Sequence, residues 1–455
     1  MSGVWLLLIL MLAIIFIIYG TAGLKLHPFL VLLLASYAVG LLGGLSGSQT
    51  LKALVDGFGG TLGSIGIIIA AGTIIGSILE KSGGTIVMAN TVVKWIGEAR
   101  SALAMSITGA VVSIPVFCDS GFVILAPLNN SLAARAKKSV ALYAVALSMG
   151  LYATHVFVPP TPGPIAAAGA LKADLGSVIL LGLVTTIPVI LVTYLFARFI
   201  GSRIYIDPAE VLGLQQENGR SQAKPQPAPE DRELPAPLTA FLPILIPMIL
   251  IALRSVAEFP GHLFGEGMVA GIIGFLGDPN TALILGVLIA MLTVKQRGPT
   301  VYRDWVGTGL RNAGTIILIT GAGGALGNVL RATPIGDFLG TSMANWHLGI
   351  FLPFLIAAAL KTAQGSSTVA IITTASIVGP LLPAIGLAGG LQPVLVTLAI
   401  GAGSMTVSHA NDSYFWVVSQ FSGMDVSQAY RLQTISSGIA GCTGIITVFL
   451  LSLVF

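Results

Sequence analysis

The chain is a succession of apolar runs, many of them near 20 residues long, with the polar residues gathered between them. A helix of about 20 apolar residues rises about 30 Å, which matches the hydrocarbon core of a bilayer. Such runs fall near 3–20, 28–45 and 60–80, and a less regular block at 101–134 is interrupted at Cys118-Asp119-Ser120-Gly121. A broken segment at 139–170 and a plain span at 176–200 follow. After residues 202–236 the runs resume near 237–256, 280–294 and 308–330. A second interrupted block, 347–382, breaks at Ala363-Gln364-Gly365-Ser366-Ser367. Another broken segment, 391–422, is interrupted at Ser408-His409-Ala410-Asn411-Asp412-Ser413, and the last span is 429–455. Residues 257–279 read as a short loop-and-helix piece at one surface.

The stretch Thr154–Pro164 lies between two apolar runs that together reach across a bilayer, yet it holds four prolines and a histidine. Proline lacks a backbone donor and clashes with the preceding turn, so no continuous helix passes through it. Broken backbone at membrane depth is tolerated only where protein or a cavity satisfies the freed groups. An ionisable residue at such a break points to a transporter's binding site.

The order of elements repeats on either side of 202–236: three spans, an interrupted block, a broken span, a plain span. Gly76-Ser77-Ile78-Leu79 resembles Gly327-Asn328-Val329-Leu330, and Thr154-His155 and Ser408-His409 are read as equivalent places in the two broken spans. Charge sets the direction. If both ends of the first interrupted block face the cytoplasm, seventeen of the twenty-two Lys and Arg lie inside, the side cations favour. Lys52, Lys172, Arg254 and Arg331 lie outside, and Lys361 lies within the second hairpin. Each half then holds five crossings plus one re-entrant hairpin. An odd number of crossings makes the halves opposite in orientation, the inverted-repeat plan of secondary transporters. The expected fold is therefore an all-α polytopic membrane protein with broken transmembrane helices. Its first repeat is 1–201 (hairpin about 101–134, broken helix about 139–170). A solvated cytoplasmic linker at 202–236, with ten of the chain's forty charges, leads to the second repeat, 237–455 (hairpin about 347–382, broken helix about 391–422). Both termini fall outside.

Composition agrees with that class. Charged residues are 9% of the chain, against roughly 25% in soluble domains, and the 56 glycines suit helices that pack closely or break. The first segment, Gly3 to Tyr19, has no basic leader and no clear small-residue cleavage site, so it reads as a membrane anchor. The net charge of +4 sits in short loops and implies no nucleic acid. Cys118 and Cys442 fall far apart in apolar surroundings and read as packed thiols. Walker A, GxSxG and HExxH motifs are absent from the sequence, so neither ATP-driven transport nor hydrolysis by those routes is expected, and no enzyme, cofactor or metal site is assigned.

The candidate chemistry collects at the breaks. Asp119, with Ser120 beside it, sits at the first hairpin tip, where a carboxylate costs several kcal/mol unless paired, hydrated or protonated. It is a proton-coupling site, a cap for the returning half-helix, or both. His155, next to Thr154, and His409 are two of five histidines, and both fall at breaks, suited to hydrogen-bond a hydroxylated substrate or pass a proton. Gln364, Ser366, Ser367 and Thr368 form the second tip, and Asn411, Asp412 and Ser413 the last break; they either read a polyol or sugar acid or cap helices. Asp412 needs its charge balanced and joins the proton-coupling candidates. Lys361 either meets a substrate carboxylate, pairs with an acid such as Asp412, or snorkels. Half-helix N-termini at all four breaks are expected to point inward, which favours an anionic substrate. Asn129, Asn130 and Asp174 are lesser candidates, Glu80 and Lys81 read as interface charges, and the runs Gly72–Gly76 and Gly323–Gly327 as packing faces.

The motif Pro115-Val116-Phe117-Cys118-Asp119-Ser120-Gly121-Phe122-Val123-Ile124 and the Thr-His-x-x-x-Pro-Pro-x-Pro-Gly-Pro break resemble the gluconate permease family, within the ion-transporter superfamily. The second half agrees through Ala363-Gln364-Gly365-Ser366-Ser367-Thr368-Val369-Ala370 and Ser408-His409-Ala410-Asn411-Asp412. The resemblance implies proton-coupled uptake of gluconate or related sugar acids across the bacterial inner membrane, with some relatives carrying D-serine. It also implies a homodimer whose transport domain, containing both hairpins, moves as an elevator. Asp119, His155, Gln364, Ser366, His409, Asn411 and Asp412 match motif positions. Two departures stand out: Thr161 replaces a histidine many members have at the first break, and Lys361 an arginine.

The expected function is a proton symporter for a small hydroxylated carboxylate, embedded in the lipid bilayer. Its substrate site includes Ser120, Thr154, His155, Thr161, Lys361, Gln364, Ser366, Ser367, Thr368, His409 and Asn411. Asp119, His155, His409 and Asp412 are the proton-coupling candidates. A sodium-coupled carboxylate carrier using carbonyls at Ser366 and Asn411 is the rival within the class. A channel and a membrane-embedded enzyme are rivals outside it.

Overall fold

A chain whose backbone must satisfy itself in hydrocarbon has helices as its simplest solution, and every regular element in the described residues of the computed structural model is helical. Those residues are 3–97, 100–201, 203–211, 234–257, 267–294, 298–335 and 348–455. The first half contains α1 (Gly3–Ile18), α2 (Pro28–Leu42), α3 (Gly47–Lys81) and α4 (Gly84–Ile96), then the pair α5 (Ser101–Val112) and α6 (Cys118–Arg135). It ends with α7 (Val140–Phe157), α8 (Pro162–Leu171) and α9 (Leu175–Gly201). The second half runs through α10 (Pro237–Ala257), α11 (Met268–Leu276), α12 (Pro279–Thr293) and α13 (Val306–Ala332). It continues with the pair α14 (Phe351–Gln364) and α15 (Ser367–Val378), then α16 (Gln392–Met405), α17 (Ser413–Phe421), α18 (Val426–Ala429) and α19 (Ile435–Ser452).

Six spans in the described residues are long and apolar enough to cross a bilayer, with α7 and α8 taken as one interrupted span. Helices α11 and α12 make a seventh if they are one span bent by 65°. Leu180, Val184, Ile187, Leu191 and Leu195 are all exposed. They recur at helical spacing along α9, an apolar stripe facing outward, as lipid demands. The span of α7 and α8 is the opposite case, buried almost throughout.

Two expectations needed correction. No element was expected between residues 81 and 100, yet α4 forms there after a left-handed turn at Gly83 (φ 76°). Its buried residues, among them Val87, Met88 and Val92, alternate with polar ones, so no long apolar run announced it. The linker was expected to be solvated throughout, yet Ile206 and Val211 are buried, and the Ser139 hydroxyl donates to Ile204 O and accepts from Ile206 N, both at 3.0 Å. Residues 212–233 of the linker, with Arg220, Lys224 and Arg232, lie outside the described residues, as do Lys295, Arg297 and the 258–266 part of the ambiguous segment.

Helices α3 and α13 pack face to face, with Asn328 Nδ2 donating to Ala53 O at 2.8 Å. Each then abuts one of the interrupted regions through glycine. A Cβ at Gly76 would run into the Pro115 carbonyl at the first tip, and one at Gly72 into the carbonyl of Pro160 in the first break. On α13, Gly323 and Gly327 lie against Ser376 of α15. The expected packing faces are thus places of close approach, backbone to backbone at Gly72 and Gly76 and backbone to the Ser376 side chain at Gly323.

Candidate functional site

The first tip is made by Pro115. Its missing donor stops α5 at Val112, and the Ser113 hydroxyl donates to Val116 O at 3.0 Å to close the turn. Helix α6 then starts at Cys118, so the break spans 113–117 rather than 118–121. Gly121, read as part of the break, is inside α6 and packs against Leu151. Asp119 consequently sits in the first turn of α6, at the positive end of the helix, where its Oδ1 accepts from the Ser413 hydroxyl at 3.1 Å.

The first break follows from Pro159-Pro160. The residue before proline is driven extended, and Val158 (φ −118°, ψ 115°) ends α7 directly after Phe157. Thr161 then begins α8 with Pro162 at its first position. Thr154 and His155 are therefore in the last turn of α7, still helical. Ser408 and His409 lie instead in the middle of the irregular segment 406–412. The two pairs are not equivalent, because proline ended one helix after its histidine, while α16 ends before His409.

The second tip is clamped to the second break. Helix α14 ends at Gly365 (φ 77°), where a Cβ would collide with the Asn411 carbonyl. The Asn411 amide donates to Thr362 O at 2.8 Å and Ala363 O at 3.2 Å, and His409 Nε2 lies 2.9 Å from the same Thr362 oxygen. These contacts satisfy the last carbonyls of α14, which no helix can satisfy for itself. Lys361, fully buried, donates to Gly365 O at 2.7 Å and to Asp412 Oδ2 at 2.6 Å. Asp412 also accepts from the Ser408 hydroxyl, and with Oδ1 it caps Tyr414 N, opening α17.

Three half-helix N-termini, of α6, α15 and α17, meet around a cavity of about 280 Å³. Its walls include Phe117, Cys118 and Asp119 from the first tip, Ser366 to Val369 from the second, Asp412 to Tyr414 from the last break, and Tyr152 and His155 from α7. Thr315, Ile316 and Ile319 of α13 close it. His155 packs on Phe117 with ring centroids 5.7 Å apart, and its buried Nδ1 has no hydrogen-bond partner among the described residues. The hydroxyls of Tyr152 and Ser367 share a hydrogen bond of 2.7 Å. Donors of the helix ends, a carboxylate, an imidazole and several hydroxyls thus converge on a space suited to a small polar solute.

Of the residues expected at the site, Asp119, His155, Ser366, Ser367, Thr368 and Asp412 line this cavity. Lys361 does not; its ammonium is paired with Asp412, one of the alternatives the sequence left open. Thr154 and Thr161 are buried, their hydroxyls bonded to Gly150 O and Val158 O, and Ser120 lies next to the wall without forming it. His409 and Asn411 hold the end of α14, away from the cavity. Gln364, at that end, has both side-chain polar atoms buried without hydrogen-bond partners among the described residues. Asn129 and Asn130 are buried on α6, Asn130 bonded to Phe421 O, and Asp174 caps α9 through Ser177 N. The sequence reading missed Tyr152 and Thr315. Tyr152 was detectable, since it stands three residues before His155 on the same helix face. Thr315 lies in a plain span, and nothing local marks it.

The chain matches the family described as GntP family permease over residues 5–454. It is similar to the gluconate permease of Pseudomonas aeruginosa, with 35% identity covering 99% of this chain and 98% of that one. It is also similar to the D-serine transporter of Escherichia coli, with 31% identity covering 100% and 99%. In structure it is similar to the YdaH transporter of Alcanivorax borkumensis, with a TM-score of 0.67 at 15% identity, covering 94% of this chain and 99% of that one. That likeness concerns the fold.

Proposed function

The chain belongs to the GntP family of permeases, and from that premise we propose that it imports gluconate or a related small hydroxylated carboxylate across the bacterial inner membrane by proton symport. The observation that carries this reading is the meeting of three half-helix N-termini with Asp119 and His155 around one cavity. The amides and hydroxyls at Ser366, Ser367 and Thr368 offer donors to a carboxylate, and His155 a partner to the hydroxyls of a sugar acid. Asp119 and His155 are the groups for the coupling proton, because Asp412 is committed to Lys361 and His409 to Thr362 O. Transport follows an elevator course, with the two hairpins and broken spans moving as a body against α3 and α13. The repeats are inverted, each with five crossings and a re-entrant hairpin, the termini face outward, and the carrier is a homodimer.

Proteoliposomes with an imposed pH gradient test the coupling. Gluconate should accumulate when the outside is acidic, at fixed sodium, and collapse of the gradient should abolish accumulation. Uptake indifferent to pH but driven by sodium would replace the proton with sodium. A second reading, D-serine as substrate, is favoured by the carboxylate of Asp119 on the cavity wall, which suits an ammonium group. Competition of D-serine with labelled gluconate distinguishes the two.

A further inference from the structure

Lys361 reaches no solvent, and each of its three ammonium donors has a direction. One goes to Gly365 O at 2.7 Å, one to Asp412 Oδ2 at 2.6 Å, and the face of Tyr152 lies 5.8 Å away, within cation–π range. The same Asp412 oxygen takes the Ser408 hydroxyl. Remove the lysine side chain, and what is left is a carboxylate, a backbone carbonyl freed by the left-handed turn at Gly365, a serine hydroxyl and an aromatic face. That donor set, one full negative charge with neutral oxygens at the junction of two broken elements, is the chemistry of a monovalent cation site.

We propose that Lys361 is a tethered substitute for a bound monovalent cation. Its ammonium fastens the second tip to the second break, and the oxygens around it form a latent cation site that is permanently filled. The ammonium is attached to α14, so it moves with the tip and can neither dissociate nor be carried across. Cation binding at this junction is thereby removed from the transport cycle. This extends the carrier reading above by excluding sodium from a junction where a carboxylate and freed carbonyls meet, which leaves the proton to do the coupling.

The test is the thermal unfolding of the purified full-length protein, read separately from uptake. The unaltered protein should melt at the same temperature in sodium, potassium, ammonium or choline chloride of equal ionic strength. Lys361→Ala should melt lower in choline and regain several degrees in at least one small cation, saturably and in the millimolar range. Lys361→Ala with Asp412→Asn should lose that cation response. Lys361→Arg, which keeps the charge, should be indifferent to the salt. A small-cation response in the unaltered protein or in Lys361→Arg would overturn the proposal even if Lys361→Ala cannot be purified. Equal melting of Lys361→Ala in all four salts would overturn it as well. Because the readout is stability, uptake indifferent to the pH gradient could defeat the proton reading while this result stood, and the reverse also holds.

Discussion

The hydroxyls of Tyr152 and Ser367 lie 2.7 Å apart and join a helix of the first half to the first residue of a half-helix in the second. Tyr152 is fully buried, its hydroxyl also within 3.4 Å of Ser404 O, and its ring lies 5.2 Å from that of Tyr414. One side chain thus ties together three elements of the cavity wall. Tyr152→Phe keeps the ring packing and removes the hydroxyl. It should cost about 1 kcal/mol of stability, visible as a lowered melting temperature, and weaken substrate affinity several-fold because Ser367 is no longer held. A loss of folding with no affinity change in the surviving protein would contradict this role.

The two histidines should behave differently on substitution. His155 lines the cavity and its buried Nδ1 has no hydrogen-bond partner among the described residues, whereas His409 contacts a backbone carbonyl at the end of α14. His155→Gln should reduce uptake by at least tenfold while the protein stays folded. His409→Gln retains a donor for Thr362 O and should leave uptake within a few-fold of the unaltered rate. Initial rates in proteoliposomes, normalised to the amount of protein inserted, check both.

Asp119→Asn separates coupling from binding. The amide still accepts a hydrogen bond from Ser413 but cannot lose a proton at ordinary pH. Exchange of internal for external substrate should persist, while accumulation driven by a pH gradient should disappear. Accumulation that survives the substitution would move the proton site elsewhere.

The ion pair Lys361–Asp412 should show strong coupling. Removing either partner leaves a buried charge alone, at a cost of about 3–5 kcal/mol. Lys361→Met and Asp412→Asn together should therefore cost much less than the sum of the two single changes. Unfolding free energies from a double-mutant cycle measure this directly.

Close approach of backbone should make Gly76 the more sensitive of two glycines. A methyl there meets the rigid Pro115 carbonyl, while at Gly327 it would stand 3.0 Å from Ser376 O. Gly76→Ala should destabilise by about 1–3 kcal/mol through overpacking, and Gly327→Ala by less. Melting temperatures of the two variants in the same detergent provide the comparison.

Much of this was legible along the chain. Length and hydrophobicity marked the long spans, and proline marked the places where helices stop, since a missing donor acts on its own neighbours whatever the tertiary context. Where the sequence reading slipped, local signals competed. Gly121 looked like part of a turn and lies inside α6, while Pro115 set the tip five residues earlier. The helix α4 was hidden because its buried residues alternate with polar ones, as on any helix half-exposed at a surface.

The residues themselves determined that this polypeptide lives in lipid, where it interrupts its helices, and that histidine, carboxylates and hydroxyls gather at those interruptions. What only the folded protein decided is which of these groups face the cavity. Lys361 and Asp412 are 51 residues apart, and nothing short of packing the second tip against the last break brings an ammonium to 2.6 Å from a carboxylate. Thr315 reaches the same cavity from a span with no local mark at all. Helix breaks are set by forces between sequence neighbours, whereas pairing and orientation are set by which partners burial leaves within reach, and those partners stand far apart along the chain.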